Sequence, residues 1–266
     1  MATGRAGEAE GTGKAPLVVN LLGPFDIALG QQRTGRWRRP SAKRLCELLM
    51  ISPGHRLGRE VASDLLFANL GPPAAANALS RALSMAREAL LPLGQEVPGL
   101  LRADRTHIWV SREIRVDVDV VAHEEALRSA LSMEPGPRDG PLSLALAEER
   151  VLLEDEPYAD WALRPREALE LLRQRARLEL ARDRARGRGR AHPEAVVDAW
   201  ENCLSNDPTS EEAASALMRI YAAQGRRQLG LPTYERCRAA LESLGLHASP
   251  ALAESQRATL ANVVSS

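Results

Sequence analysis

The stretches NALSRALSMAREAL, residues 77–90, and GLLRADRTHIWVSREIRVDV, residues 99–118, decide how the first half of this chain folds. In the first stretch, apolar residues recur at the spacing of one face of an α-helix: Leu79, Leu83, Ala86 and Leu90. The second stretch alternates apolar and polar residues around a polar turn at Ala103-Asp104-Arg105, which is the pattern of a β-hairpin. Together they predict a helix that docks on a core and is followed by a hairpin.

The residues before this helix predict short strands and two further helices. Residues 17–37 hold two apolar runs that are broken by Gly and Pro, which is typical of short strands. Helical patterns then begin at Pro40, at Arg59 and after Pro72-Pro73. The order of strands, three helices and hairpin predicts a winged helix-turn-helix, in which the third helix enters the major groove and the hairpin is the wing.

Nearly all of the chain after Val118 has helical periodicity. The predicted segments are 119–132, 141–153, 164–186, 193–205, 210–224, 228–244 and 249–262. Trp200, Glu201 and Cys203 are matched 34 residues later by Tyr234, Glu235 and Cys237, and 34 residues is the tetratricopeptide (TPR) period. Pro232 lies in the segment 228–244, which we therefore expect to be short or bent at its start.

The predicted fold is mainly α with a small β component. We assign residues 1–16 to a disordered tail, 17–117 to a winged helix-turn-helix domain, and 118–266 to an all-α domain of TPR-like repeats. The charge is divided in the same way, although the whole chain is neutral. Residues 17–118 carry 14 Lys and Arg against 9 Asp and Glu, and residues 119–266 carry 19 against 24. This asymmetry favours a polyanion as partner of the first half and protein as partner of the second, although surface scatter explains it equally well.

Composition and motifs exclude several classes of protein. The longest apolar runs are far shorter than the ~20 residues of a membrane span, so we expect no membrane partner. Three distant cysteines without a CxxC motif favour a reducing cytoplasm, and five histidines without HExxH or paired spacing argue against a metal site. No motif indicates a catalytic group or a cofactor, so we predict no catalytic residue, no cofactor and no enzyme activity.

The polar face of the third helix is the candidate reader of DNA bases. Opposite the apolar stripe lie Asn77, Arg81, Ser84 and Glu88, with Ser80, Met85 and Arg87 beside them. Arginine can bond guanine and asparagine can bond adenine in the major groove, and a helix N-terminus favours phosphate. An ordinary amphipathic surface helix explains the pattern equally well, because this helix is not strongly basic.

Basic residues on both sides of this helix strengthen the prediction of DNA binding. A dense basic run, which we expect no nearby acid to oppose, enters the first helix: Arg33, Arg36, Arg38, Arg39, Lys43 and Arg44. Around the predicted wing tip lie Arg102, Arg105 and His107. Such side chains contact phosphates and fix the register of a protein on the duplex. We expect Lys43, Arg44, Arg87, Arg102 and Arg105 to hold the DNA backbone.

Several segments together resemble a known family. LLGPFDIALG (21–30), RPSAKRLCELLMISPGHRLGREVASDLLF (39–67) and residues 77–90 resemble the OmpR-type winged helix of the actinomycete antibiotic-regulatory (SARP) activators. The segments VDVDVVAHEEAL (116–127), DEPYADWALRPREALELLRQRARLEL (155–180) and 220–252 are similar to the bacterial transcriptional activator domain that follows it in that family. The resemblance covers residues 17–262.

The resemblance implies a DNA-binding activator. Its third helix and wing would bind promoter repeats, and the repeat domain would support a homodimer or protein contacts. The loop between the second and third helices would contact RNA polymerase; here it is Ala68, Asn69, Leu70, Gly71 and Pro72. Where the family often has S-R-L-R-R, this chain has Met85 and Glu88 in place of two basic residues, which leaves weakened or partner-assisted binding open.

Two functions from different classes therefore follow from the sequence. The first is a cytoplasmic, sequence-specific transcriptional regulator that binds double-stranded DNA. The alternative is a protein-interaction adaptor with a degenerate winged helix and a partner-binding TPR-like domain, for which Met85, Glu88 and the zero net charge argue. Steep salt dependence of binding to duplex DNA separates the two.

Overall fold

The computed structural model describes residues 15–34, 37–94, 99–187 and 192–261. The predicted tail, residues 1–16, lies almost entirely outside the described residues, as does Arg36. Seven short strands, ten α-helices and three short 3₁₀-helices are assigned in the described ranges. They group into two compact units. The first unit runs to Ala122 and also takes in Arg150–Arg164, and the second comprises His123–Glu149 and the chain from Pro165 onward.

The first unit contains two small sheets, in which every strand pair except one is antiparallel. The strands are β1 (Leu17–Asn20), β2 (Asp26–Leu29), β3 (Gln32–Arg33), β4 (Arg56–Gly58), β5 (Leu101–Ala103), β6 (His107–Val110) and β7 (Val116–Val118). One sheet has the order β3-β2-β1-β7, with β1 and β7 parallel, and the other has the order β4-β6-β5. The hairpin β5–β6 was expected; the third strand, β4, was not, because a three-residue strand leaves no periodic signal.

Three helices form the core of the first unit with these sheets. They are α1 (Pro40–Ile51), α2 (Arg59–Phe67) and α3 (Pro72–Leu90). The apolar stripe predicted for α3 is buried in full, with Leu79 and Ala86 at 0% exposure. It packs against α1 and α2, which also contribute buried side chains such as Leu45, Leu49 and Ala62. The predicted order of strands, three helices and hairpin is confirmed.

Residues 150–164 belong to the first unit, although the sequence analysis assigned them to the second domain. Leu22 and Leu152 form an antiparallel bridge, and the amide of Leu153 donates to the carbonyl of Leu21 at 2.7 Å. Leu152 and Leu153 are buried in this position. The predicted helix 141–153 is therefore wrong in its second half, because the helix ends at Ala145 and the chain instead forms an isolated bridge at Leu152 and a turn at Leu153.

The described residues of the second unit form helices that are joined by turns and loops, with no named strand among them. The helices that form it wholly or in part are α4 (Asp119–Ser132), α5 (Asp139–Ala145), α6 (Asp160–Ala185), α7 (Pro193–Asn206), α8 (Glu211–Ala223), α9 (Gly230–Ser243) and α10 (Pro250–Ala261). The repeated cysteines, Cys203 and Cys237, are both buried in one apolar cluster with Trp200. Pro232 is the third residue of α9, where its missing N–H costs no helical hydrogen bond. The prediction of a mainly helical protein with small sheets near its N-terminus is confirmed.

Candidate nucleic-acid interface

The turn between α2 and α3 fixes where α3 begins. Gly71 precedes the helix in an extended conformation, and Pro72 and Pro73 occupy its first two positions. Proline suits these positions because their N–H groups have no partner within a helix. The amide of Ala75 then donates to the carbonyl of Gly71 at 2.9 Å. The first turn of α3 therefore starts directly after the exposed loop that joins it to α2.

The outward face of α3 carries the four polar residues that are predicted to read bases, and also Arg87, which is predicted to hold the DNA backbone. All five are exposed: Asn77, Ser80, Arg81, Ser84 and Arg87. Arg81 makes no ion pair or hydrogen bond with the described residues. Arg87 differs, because its Nε donates to the backbone carbonyl of Leu101 at 3.0 Å and so ties the C-terminal half of α3 to strand β5. These five side chains therefore lie on one accessible surface, and Arg87 also has a structural contact.

Arg59, which the sequence analysis did not select, joins α2, α3 and the hairpin turn. Its guanidinium donates to Ser80 Oγ at 2.9 Å, and its amide donates to the carbonyl of Thr106 at 2.8 Å. Ser80 Oγ in turn donates to the carbonyl of Ala76. Arg59 and Arg105 line the same groove of about 580 Å³. A lone arginine at the start of a helix gives no sequence signal for this role, which depends on the neighbouring elements.

The tip of the wing is built by an aspartate instead of a glycine. Asp104 Oδ1 accepts hydrogen bonds from the amides of Thr106 and His107, both at 2.7 Å, and from Thr106 Oγ1 at 2.9 Å. Aspartate favours such turns because its side chain can replace a backbone acceptor. These donors, the Thr106 amide first, lower the pKa of Asp104 to about 2. The wing tip therefore carries a permanent negative charge beside Arg105.

The two wing arginines are exposed and have no ion pair within the described ranges. Arg102 lies on β5 and Arg105 in the turn that follows. His107 begins β6, is half-buried, and contacts Thr106 Oγ1 through Nδ1 at 2.9 Å. Arg81, Arg102 and Arg105 are thus cations available to a polyanion, whereas the imidazole of His107 is part of the turn.

The prediction of an unopposed basic run at the start of α1 is wrong. Lys43 Nζ lies 2.6 Å from Asp155 Oδ2, and Arg44 Nε lies 2.8 Å from Glu156 Oε2. Arg33 pairs with Asp26. The two acids that neutralise α1 come from the segment that returns to this unit after more than a hundred residues, so no local pattern announced them. Within the described residues, only Arg38 and Arg39 of this run have no acidic partner.

The loop between α2 and α3 is accessible along its whole length. Ala68, Asn69, Leu70 and Gly71 are all exposed, and so is Pro72, which the structure places in the first turn of α3 and not in the loop. Leu70 keeps 45% of its surface exposed, although it is a large apolar side chain. On α2, Val61 and Leu65 are also exposed. Exposed large apolar side chains are found at protein contacts when they form a contiguous patch.

Comparisons with known proteins support this architecture. The family model of the bacterial transcriptional activator domain matches residues 124–260. The structure of Mycobacterium tuberculosis EmbR in complex with a low-affinity phosphopeptide is similar with a TM-score of 0.63 and 20% sequence identity. The match covers 93% of this chain and 66% of the EmbR chain, so this chain spans less than two thirds of that protein. At this identity the likeness concerns the fold alone.

A search of curated proteins finds no match. Within the described residues, no helix is both long enough and apolar enough to cross a membrane. The family match covers slightly more than half of the chain and falls on the helical repeats, while the winged helix precedes it. Both parts agree with the resemblance on which the sequence analysis relied. The chain therefore belongs to the bacterial transcriptional activator domain family.

Proposed function

We propose that this chain is a sequence-specific DNA-binding transcriptional activator whose helix α3 lies in the major groove. The observation that carries the proposal is the outward face of α3, with Asn77 and Arg81 exposed beside the unpaired guanidiniums of the wing. A small, polar face lets the helix approach base edges, and the flanking cations give phosphate contacts. We further propose that residues 17–117 are the DNA-binding domain, completed by 150–164, and that 118–266 are the activator domain.

We assign the contacts to DNA phosphates to basic side chains near α3 that no carboxylate neutralises. Arg59, Arg102 and Arg105 surround α3 at the start of α2 and on the wing, and we assign the backbone contacts to them and to Arg87. Lys43 and Arg44 are weaker candidates, because two carboxylates already neutralise them. A cation that must leave a carboxylate to meet a phosphate gains little net energy from the exchange.

The proposed contact with RNA polymerase uses the loop from Ala68 to Pro72. Its support is the exposed Leu70 together with Val61 and Leu65 on the adjoining helix. Bound at a promoter through α3, the protein would present this loop to a neighbouring polymerase. Such a regulator acts in the cytoplasm, where bacterial DNA lies.

Arg81→Ala tests the assignment of base reading. We expect a loss of roughly 1–3 kcal/mol in binding to the preferred site and a relaxed sequence preference, because a bidentate contact to guanine is removed. Arg105→Ala should instead weaken all duplexes alike and reduce the salt slope by about one. Genome-wide selection of bound fragments supplies the sites, and fluorescence anisotropy over a range of salt concentrations measures the affinities.

The matched control is Arg128→Ala, which removes an exposed arginine of α4 that belongs to the second unit. It should leave both affinity and sequence preference unchanged. If no selected duplex binds the unaltered chain above background at low salt, the adaptor function replaces this proposal. If duplexes bind but Arg81→Ala keeps the full preference, α3 is not the reading helix.

The charge of Asp104 predicts a gain of affinity. Asp104→Asn keeps the oxygen that accepts from Thr106 and His107 but removes a negative charge beside Arg105. We expect binding to all duplexes to become several-fold tighter at low salt and the difference to vanish at high salt, since salt screens exposed charges. Asp104→Ala, which also removes the acceptor, should loosen the wing turn and weaken binding. Equal behaviour of the two variants in the same anisotropy titrations would contradict this account.

A further inference from the structure

A cavity lies between the start of α1 and the C-terminal half of α3. It has a volume of about 470 Å³ and lies wholly within the first unit. Apolar side chains form much of its lining: Trp37, Ala42, Met85, Ala89 and Pro92. The ring of Trp37 packs against Phe25 with a centroid distance of 5.5 Å, which fixes one wall. Small-molecule sites are typically concave, mostly apolar and about 300–1,000 Å³ in volume.

Three charged residues line the cavity, and its two arginines differ from Lys43 and Arg44 in having no acidic partner among the described residues. Arg38, Arg39 and Glu88 complete its lining, and all three are exposed. The neighbouring cations Lys43 and Arg44 are held by carboxylates, whereas neither Arg38 nor Arg39 has an acidic partner within the described residues. Two guanidiniums without a partner at the rim of an apolar cavity are suited to a planar anion, which arginine can bind in bidentate fashion.

The two residues at which α3 departs from the family pattern both face this cavity. Met85 supplies a flexible apolar surface, and Glu88 supplies a carboxylate. Arginines at these positions would fill the same space with two further positive charges. Methionine adapts to irregular apolar ligands, and a carboxylate accepts a hydrogen bond from a ligand hydroxyl or amine. Met85 thus gives the cavity an apolar wall, whereas the carboxylate of Glu88 repels an anion, so an anionic group must lie at Arg38 and Arg39 and away from Glu88.

We propose that this cavity binds a small molecule with a flat aromatic body and a carboxylate or similar planar anionic group. The aromatic body packs between Trp37 and Met85, and the anionic group lies between the guanidiniums of Arg38 and Arg39. The proposal is independent of DNA binding, because it requires only the folded first unit. It assigns a function to the part of the basic run that no carboxylate neutralises.

The test uses the full chain and three probes of one shape. These are 2-naphthoate, 2-naphthalenemethanol and 2-naphthylmethylamine, titrated by isothermal calorimetry and by quenching of tryptophan fluorescence. We expect 2-naphthoate to bind with a dissociation constant on the order of 1 mM or tighter, as ligand size allows. The alcohol and the amine should bind at least tenfold more weakly, because they lack the anion.

Three variants locate the binding. Arg38→Ala combined with Arg39→Ala should weaken 2-naphthoate at least tenfold, and Met85→Trp should abolish binding by filling the cavity. Trp37→Phe should remove the fluorescence response while calorimetry still detects the ligand. Arg112→Ala, an exposed arginine elsewhere in the same unit, should change nothing. Circular dichroism confirms that each variant is folded.

The proposal is overturned if 2-naphthoate does not bind the unaltered chain at millimolar concentration. Equal binding of the three probes would overturn it too, since the site would then be a generic apolar cleft. The same holds if the double arginine variant binds 2-naphthoate as well as the unaltered chain does. None of these results bears on DNA binding, which the anisotropy titrations with Arg81→Ala measure separately.

Discussion

Arg138→Met is expected to lower the free energy of unfolding of the helical unit by roughly 3–5 kcal/mol. Arg138 precedes α5 and is only 7% exposed. Its Nε lies 2.5 Å from Asp183 Oδ2, and a terminal nitrogen lies 2.6 Å from Glu179 Oε2. These hydrogen bonds, the one to Asp183 first, raise the pKa of Arg138. The guanidinium thus stays charged and holds the segment before α5 against α6.

The expected loss of stability is large because Arg138→Met leaves the carboxylate of Asp183 buried without its main partner. Asp183 is 1% exposed, so without Arg138 its carboxylate would be a buried charge whose main partner is gone. Removing one member of a buried pair costs more than removing both, because the desolvation penalty of the remaining charge is no longer compensated. Arg138→Met with Asp183→Leu should therefore recover much of the stability that the single variant loses.

Urea denaturation followed by far-ultraviolet circular dichroism measures both variants. Arg128→Met, at an exposed position on α4, is the control and should change stability by less than about 0.5 kcal/mol. A loss of under about 1 kcal/mol for Arg138→Met would mean that water or protonation relieves the charge of Asp183. A double variant no more stable than the single one would also contradict the argument.

Local periodicity accounts for the elements that the sequence analysis predicted correctly. The buried stripe of α3 depends on residues three and four apart, and the wing depends on alternation within twelve residues. The correspondence of Trp200 and Tyr234, 34 residues apart, is found by aligning the sequence with itself. None of these features needs knowledge of which distant segments meet, so each can be read from a window of sequence.

The features that were missed all depend on distant contacts. Asp155 and Glu156 meet Lys43 and Arg44 across 112 residues, and a sequence window cannot hold both partners. The bond from Arg59 to Ser80 is shorter in sequence but requires the angle between α2 and α3. The candidate DNA surface could therefore be located from the sequence, whereas the sorting of its cations into free and neutralised ones could not.

Glu47 is the least expected residue of α1, because it is fully buried on the side that packs into the unit. Neither of its carboxylate oxygens accepts a hydrogen bond in the described structure, and Lys43 Nζ lies 3.5 Å from Oε1. Burial raises the pKa of Glu47 from 4.5 to about 7. The charge of Lys43 lowers this pKa by a smaller amount, and the charges of Glu156 and Asp155 raise it by smaller amounts. Lys43 cannot fully compensate Glu47, since it also pairs with Asp155 at 2.6 Å.

We expect the stability of the first unit to fall as pH rises from 5 to 8. The protonated carboxyl is favoured in the folded state, so its contribution is complete below the unfolded pKa of about 4.5 and is lost as pH rises through about 7. A shift of this size corresponds to roughly 3 kcal/mol. Glu47→Gln, which keeps the shape without the charge, should remove this fall and should be more stable than the unaltered chain at pH 8.

Urea denaturation from pH 5 to pH 8, followed by tryptophan fluorescence, tests this expectation, with Glu113→Gln as the control at an exposed carboxylate of the same unit. The control should retain the full pH dependence, because its charge is solvated in both states. If Glu47→Gln shows the same fall as the unaltered chain, another group titrates and Glu47 is compensated by Lys43. If the fall disappears, ionisation of Glu47 is what destabilises the unit at high pH. Glu47 lies on the same helix, α1, as Lys43 and Arg44. We therefore expect the ion pairs of Lys43 with Asp155 and of Arg44 with Glu156 to weaken over the same pH range.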